Sequence, residues 1–392
     1  MTSPNVQPSA YGSRLARCRW QRRLRVLPFD FGQRNVCMND MASAVSSTPS
    51  SRWQRIAPAF TLVLISPLVA EVLPGATPLH AMFVFPIEMC VWGGGALLIR
   101  SAVRRWQLGW RNMLLLALGL SIAEECLIQQ TSFAPLVIQL QGMVYARAFG
   151  VNYVYFLWAI VYESAFVVFL PIYLVELIYP THRADTWISK LGLAVTIVFF
   201  LIGSVFAWFT WTHIARVKVF KLPLYNPPVE SVLIAAATIC ALIFAAIGPF
   251  RNTLARPSAP LKPPPPWVLA IMGAVWAILW YGLVLLAFGI HPTFPPAAAA
   301  SAGLLLTTAV LLVVPRCAVD SRFQTTHEFA LIFGTMLGSM FVGFIRFIGA
   351  APVDLYFKIV VNILAVALLI TLGIKVLRQM ASTARLKKIQ RI

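Results

Sequence analysis

The chain has 392 residues, 59% hydrophobic and 11% charged, with 32 Lys and Arg against 13 Asp and Glu and a formal charge of +19. A soluble domain carries about 25% charged residues, so this composition excludes an ordinary soluble enzyme or binding module and points to the lipid bilayer. The basic residues flank apolar runs, where they set topology, so no nucleic-acid partner is expected.

Residues 1–55 hold nine arginines among Ser, Pro and Gln and read as a basic cytoplasmic arm with no core of its own. A surface helix around Leu15–Leu27, anchored by Trp20, is compatible with that stretch. No apolar segment of signal-peptide type follows the arginines. Met38 and Met41 precede a Ser-rich spacer and are alternative start sites to Met1.

Ten apolar runs follow, at 56–74, 80–99, 112–131, 153–179, 190–212, 230–250, 267–290, 297–315, 329–349 and 354–376. Each is near the roughly 20 residues that a helical span requires. The expected fold is therefore an all-α polytopic helical bundle. With the amino terminus inside, the inner segments carry 26 basic residues and the outer loops 6, which places both termini in the cytoplasm of a cell-membrane protein. The 213–229 loop is the exception, with Arg216, Lys218 and Lys221 on the outer side. A linker at 251–266, closing in four prolines, separates a six-span block (56–250) from a four-span block (267–376). A basic tail, 377–392, completes the chain and should attract anionic lipid. In the second block Gly334 and Gly338, then Ser339 and Gly343, are small residues four apart that let helices approach closely. The six cysteines show neither a disulfide framework nor metal-ligand spacing, and no metal or cofactor is expected.

The third run stands out because it carries adjacent carboxylates, Glu124 and Glu125. Inserting two central glutamates costs roughly 5–7 kcal/mol, against roughly −2 to −5 from the leucines and isoleucines around them. Such a helix needs partners from the rest of the chain. Beyond the first position of each run, six acidic residues lie within apolar runs, all in the first four: Glu71, Glu88, Glu124, Glu125, Glu163 and Glu176. At about 1.5 Å per residue the first five fall in one layer of the outer half, while Glu176 sits at the inner end as an interfacial residue. Pro67 and Pro86 stand beside Glu71 and Glu88, as in broken helices that frame buried polar sites. Gln129 shares a helical face with Glu125. Arg147 and His80 are possible partners from the outer loops. No histidine falls well inside a span.

The segments 64–79, 118–135 and 169–180 resemble parts of an uncharacterised group of bacterial polytopic membrane proteins, over about residues 57–200. More distantly, the Glu124–Glu125 pair on a membrane helix is similar to the CAAX-type (Abi) intramembrane glutamate proteases. That resemblance implies a water-activating pair, an arginine four residues beyond it and histidines on later helices. Here Gln129 occupies the arginine position, and Glu163 is the charged residue in a span where a histidine would be sought. Under a hydrolase reading Glu125 is the general base, Glu124 its charge partner and Gln129 the orienting residue. A proton- or cation-coupled transporter using the same carboxylates as a relay is the alternative, and a non-catalytic scaffold the third. The substrate is not legible in the sequence.

Overall fold

The computed structural model of the chain describes residues 52–135, 145–252, 259–284 and 294–389. Most of the basic arm with its surface helix, His291, and parts of the linker and tail lie outside the described residues. The protein is 80% helical. The helices are α1 (Arg55–Val72), α2 (Leu79–Arg105), α3 (110–128), α4 (Tyr153–Ile178), α5 (Lys190–Val219), α6 (Val229–Ile247), α7 (Pro266–Leu283), α8 (Pro296–Val319), α9 (Thr325–Phe347) and α10 (Pro352–Ser382). Among the described residues the strands are β1 (Arg147–Ala148) and β2 (Val151–Asn152), an antiparallel pair with Arg147 opposite Asn152.

Nine of these helices are long and apolar enough to cross a membrane. The exception is α3, which carries Arg111, Glu124 and Glu125. Its position shows that it runs alongside the others. At one end Asn112 Nδ2 donates to the carbonyl of Ala246, 2.7 Å away, at the close of α6. At the other, its last turn packs against the start of α4 through β2, where Asn152 N donates to Ser132 O at 2.9 Å.

Alternate loops meet at opposite ends of the bundle. At the Gly75 end, where a φ of +85° reverses the chain after α1, Arg346 Nη1 donates to Ala76 O at 2.7 Å and His80 pairs with Asp354. At the Trp187 end, Lys375 Nζ donates to Ile178 O at 3.1 Å and Leu261 N to Arg316 O at 2.9 Å. Near the start of α1, Thr61 hydrogen-bonds Tyr179 in the same region, so α1 begins where α10 finishes.

Burial separates core helices from lipid-facing ones. The apolar windows of α1, α2, α4 and α9 are 44–61% buried, those of α5 to α8 only 11–22%. The outer helices present Phe206, Leu233 and Leu305 outward, which water would penalise and hydrocarbon does not. The expected small-residue contact is made between α9 and α7. A Cβ placed on Gly334 or Gly338 would collide with the backbone of Ala270 or Ala274, so the glycines set the distance between the two helices.

Candidate functional site

Every acidic residue expected in the membrane layer lies at a break in regular α-helix. Leu68–Val72, Ala123–Ile128 and Glu163–Phe169 are π-helical and contain Glu71, the Glu124–Glu125 pair and Glu163, and Glu88 immediately precedes the π-helical Met89–Gly93. The wider turn leaves backbone carbonyls poorly paired and re-aims side chains, an arrangement frequent at functional sites. In α3 this lets two successive glutamates serve one focus.

That focus is shared with α4. Carboxylate oxygens of Glu124, Glu125 and Glu163 all lie within 4.8 Å of one another, and all three residues are at most 4% exposed. Glu125 is the best satisfied. The chain leaves α3 at Gln130 in the left-handed region, φ 60°, a strained conformation for a non-glycine residue, and folds Thr131 and Ser132 back beneath the helix. Thr131 Oγ1 donates a short hydrogen bond to Glu125 Oε2, Ser132 Oγ donates to the same oxygen at 3.0 Å, and Tyr155 OH donates to Oε1 at 3.0 Å. Glu124 Oε1 and Glu163 Oε2, by contrast, are buried with no hydrogen-bond partner among the described residues. Among the described residues no Lys, Arg or His forms an ion pair with any of the three.

The remaining acidic residues of the layer form a second group. Thr77 Oγ1 bridges Glu88 Oε1 at 2.7 Å and Glu71 Oε2 at 3.4 Å. Glu71 also contributes to the electrostatic field at Glu124. At that turn the buried Lys358 of α10 donates a short hydrogen bond to Leu73 O.

The candidate partners act at one remove. Gln129 neighbours Glu124 and lines a small surface recess with Gln130, Trp211, Thr212, Arg216 and Tyr225. Arg147 donates to Asn152 Oδ1 at 2.9 Å, and Asn152 Nδ2 holds the carbonyls of Thr131 (3.1 Å) and Ala134 (2.9 Å). Arg147 therefore buttresses the loop that supplies the hydroxyls and does not meet the pair. His80 pairs with Asp354 at 2.8 Å, away from the pair. His182, His213 and His327 bond Asp185, Thr212 and the Gln324 backbone.

Glu176, expected at the inner end as an interfacial residue, lies near the Trp187 end and is enclosed there by other side chains. It is fully buried, takes both carboxylate oxygens to Arg104 Nη2 at 2.7 Å, and pairs with Arg183 at 3.2 Å and Arg100 at 3.4 Å. Arg183 also forks onto Glu328 of α9 at 2.7 and 3.0 Å, and Arg100 stacks 3.4 Å over the Trp187 ring. In the loop after α4, burial alone would lower the Arg183 pKa, but Glu328 and Glu176 beside it more than offset this and hold it above its ordinary value. Sequence reading missed Glu328, which precedes its apolar run. The available signal was the co-location of Arg100, Arg104 and Arg183 at one end of the bundle.

The two polar centres thus have opposite character. The Trp187-end network is charge-compensated and joins helices together. The Glu124–Glu125–Glu163 focus has acceptors in excess and, among the described residues, no compensating cation. No family model, curated protein or solved structure matches the chain.

Proposed function

We propose that this is a membrane transport protein in which Glu124, Glu125 and Glu163 take up and release a small cation or protons, with Glu71 and Glu88 continuing the relay. The observation that carries this reading is the convergence of three buried carboxylates that have no cationic partner among the described residues. At up to 4.8 Å and an effective dielectric near 20, each ionised pair repels by at least about 3 kcal/mol. The trio therefore binds positive charge in proportion to its ionisation, which is the property a carrier site needs.

A hydrolase reading draws on Glu125, whose three hydroxyl donors hold it as a base is held. The histidines in the described residues all bond elsewhere, and the transport reading uses Glu163, which the hydrolase reading leaves idle. By the distribution of basic residues the Trp187 end faces the cytoplasm of a cell-membrane protein, with the basic arm and tail against anionic lipid.

The test is reconstitution into proteoliposomes with a pH-sensitive dye inside and imposed cation gradients. Wild type should move protons or exchange them for cations. Glu125→Gln, which keeps shape and hydrogen bonding but cannot ionise, should reconstitute normally and lose at least about 10²-fold of the flux. Wild-type flux in a Glu124→Gln/Glu125→Gln/Glu163→Gln variant would remove the transport reading.

A further inference from the structure

We propose that the Glu124–Glu125–Glu163 focus is a site for a hard divalent cation that prefers oxygen ligands. This rests on the cation-handling reading and specifies its ligand.

The first argument is the donor set. Every ligand atom offered within the focus is a carboxylate oxygen, and the groups around it are the hydroxyls of Thr131, Ser132 and Tyr155. Carboxylate and other oxygen ligands suit calcium, manganese and magnesium, whereas zinc and copper draw on imidazole and thiolate. Cys126 lies on the same turn, but its sulfur is not in the group, and no described histidine is.

Glu124 Oε1 and Glu163 Oε2 are shielded from solvent and have no hydrogen-bond partner among the described residues. Buried acceptors are nearly always satisfied, and two in one focus on neighbouring helices call for a shared electrophile. Glu125 supplies the complementary feature. Both its oxygens already accept hydroxyl hydrogen bonds, which is how proteins orient a carboxylate that also ligates a metal.

Charge completes the case. A divalent ion neutralises two of the three carboxylates and one proton the third, so the loaded site is neutral, as hydrocarbon surroundings require. Ca²⁺ entry would then displace the protons held by the other carboxylates, which couples the ion to proton release.

The experiment is calorimetric titration of the purified full-length protein in detergent, stripped with chelator, using Ca²⁺, Mg²⁺ and Zn²⁺ chloride, with Mn²⁺ followed by electron paramagnetic resonance. One saturable site for Ca²⁺ or Mg²⁺ is expected, with Mn²⁺ in an oxygen-only environment. Glu163→Gln should weaken Ca²⁺ at least about 10-fold, Tyr155→Phe about 3- to 10-fold, and Glu230→Gln, at the exposed start of α6, not at all. If Glu163→Gln does not fold, the Tyr155→Phe and Mn²⁺ results decide. Absence of saturable divalent binding, or binding that both variants leave intact, overturns the proposal. If proton flux still depends on the glutamates in that case, the site carries protons alone and the transport reading survives. Loss of both means that both readings fail.

Discussion

Removing Arg183 tests whether the Trp187-end network joins the bundle as its geometry implies. Arg183 forks onto Glu328 at 2.7 and 3.0 Å and contacts Glu176 at 3.2 Å, and the Arg183 and Glu328 side chains are 9% and 8% exposed. Arg183→Met leaves Glu328 buried without its ion-pair partner, a change that destabilises by about 3–5 kcal/mol. Glu176 keeps Arg104 and Arg100 and adds little to that loss. The reverse deletion is milder, because in Glu328→Met the guanidinium retains Glu176, and about 1–3 kcal/mol is expected. Combining the two leaves neither charge orphaned, so the double variant should lose less than Arg183→Met alone by about 2 kcal/mol. Denaturant unfolding in mild detergent, followed by helical circular dichroism, measures all three. An Arg183→Met protein within about 1 kcal/mol of wild type, or a strictly additive cycle, would falsify the claim that this ion pair joins the α4–α5 loop to α9.

Three further outcomes follow from the packing and the loop geometry. Gly334→Leu and Gly338→Leu force α9 off the α7 backbone, and each should lower the thermal unfolding temperature markedly; unchanged melting of both would show that the helices tolerate separation. Asn152→Ala strands the carbonyls of Thr131 and Ala134 and should destabilise by about 1–3 kcal/mol while slowing proteoliposome flux more than 10-fold, through displacement of the Thr131 and Ser132 hydroxyls; normal flux in a destabilised protein would separate the loop from the site. Reporter fusions at the two termini should both read cytoplasmic, and a carboxy-terminal reporter on the outer side would contradict the proposed orientation.

The helical architecture was legible because lipid imposes a simple rule: about 20 apolar residues per crossing and the backbone paired internally. Even α3, too charged to qualify by composition, was recoverable from the leucines around its pair. The buried glutamates drew attention for a related reason, since a carboxylate in an apolar run has few structural explanations. What the sequence could not disclose is convergence. Nothing in the spacing of Glu125 and Glu163 states that α3 and α4 bring them together, because that depends on π-turns and on the reversal at Gln130. Arg147 illustrates the same point, as its contact is Asn152, five residues on, and not the carboxylates its charge suggested. Glu176 looked interfacial because position along a helix reports depth and not burial; three arginines from α2 and the α4–α5 loop close over it.

The central claim is that Glu124, Glu125 and Glu163 behave as one ionisable unit, and infrared difference spectroscopy of the carboxyl C=O stretch addresses it most directly. Spectra of the reconstituted protein across a pH titration would be compared for wild type and the Glu124→Gln, Glu125→Gln and Glu163→Gln variants. The account predicts that each substitution changes the band position and titration of the carboxyls that remain, because the three share their protons at separations within 4.8 Å. Three bands that titrate independently, each removed by its own substitution without disturbing the others, would contradict it.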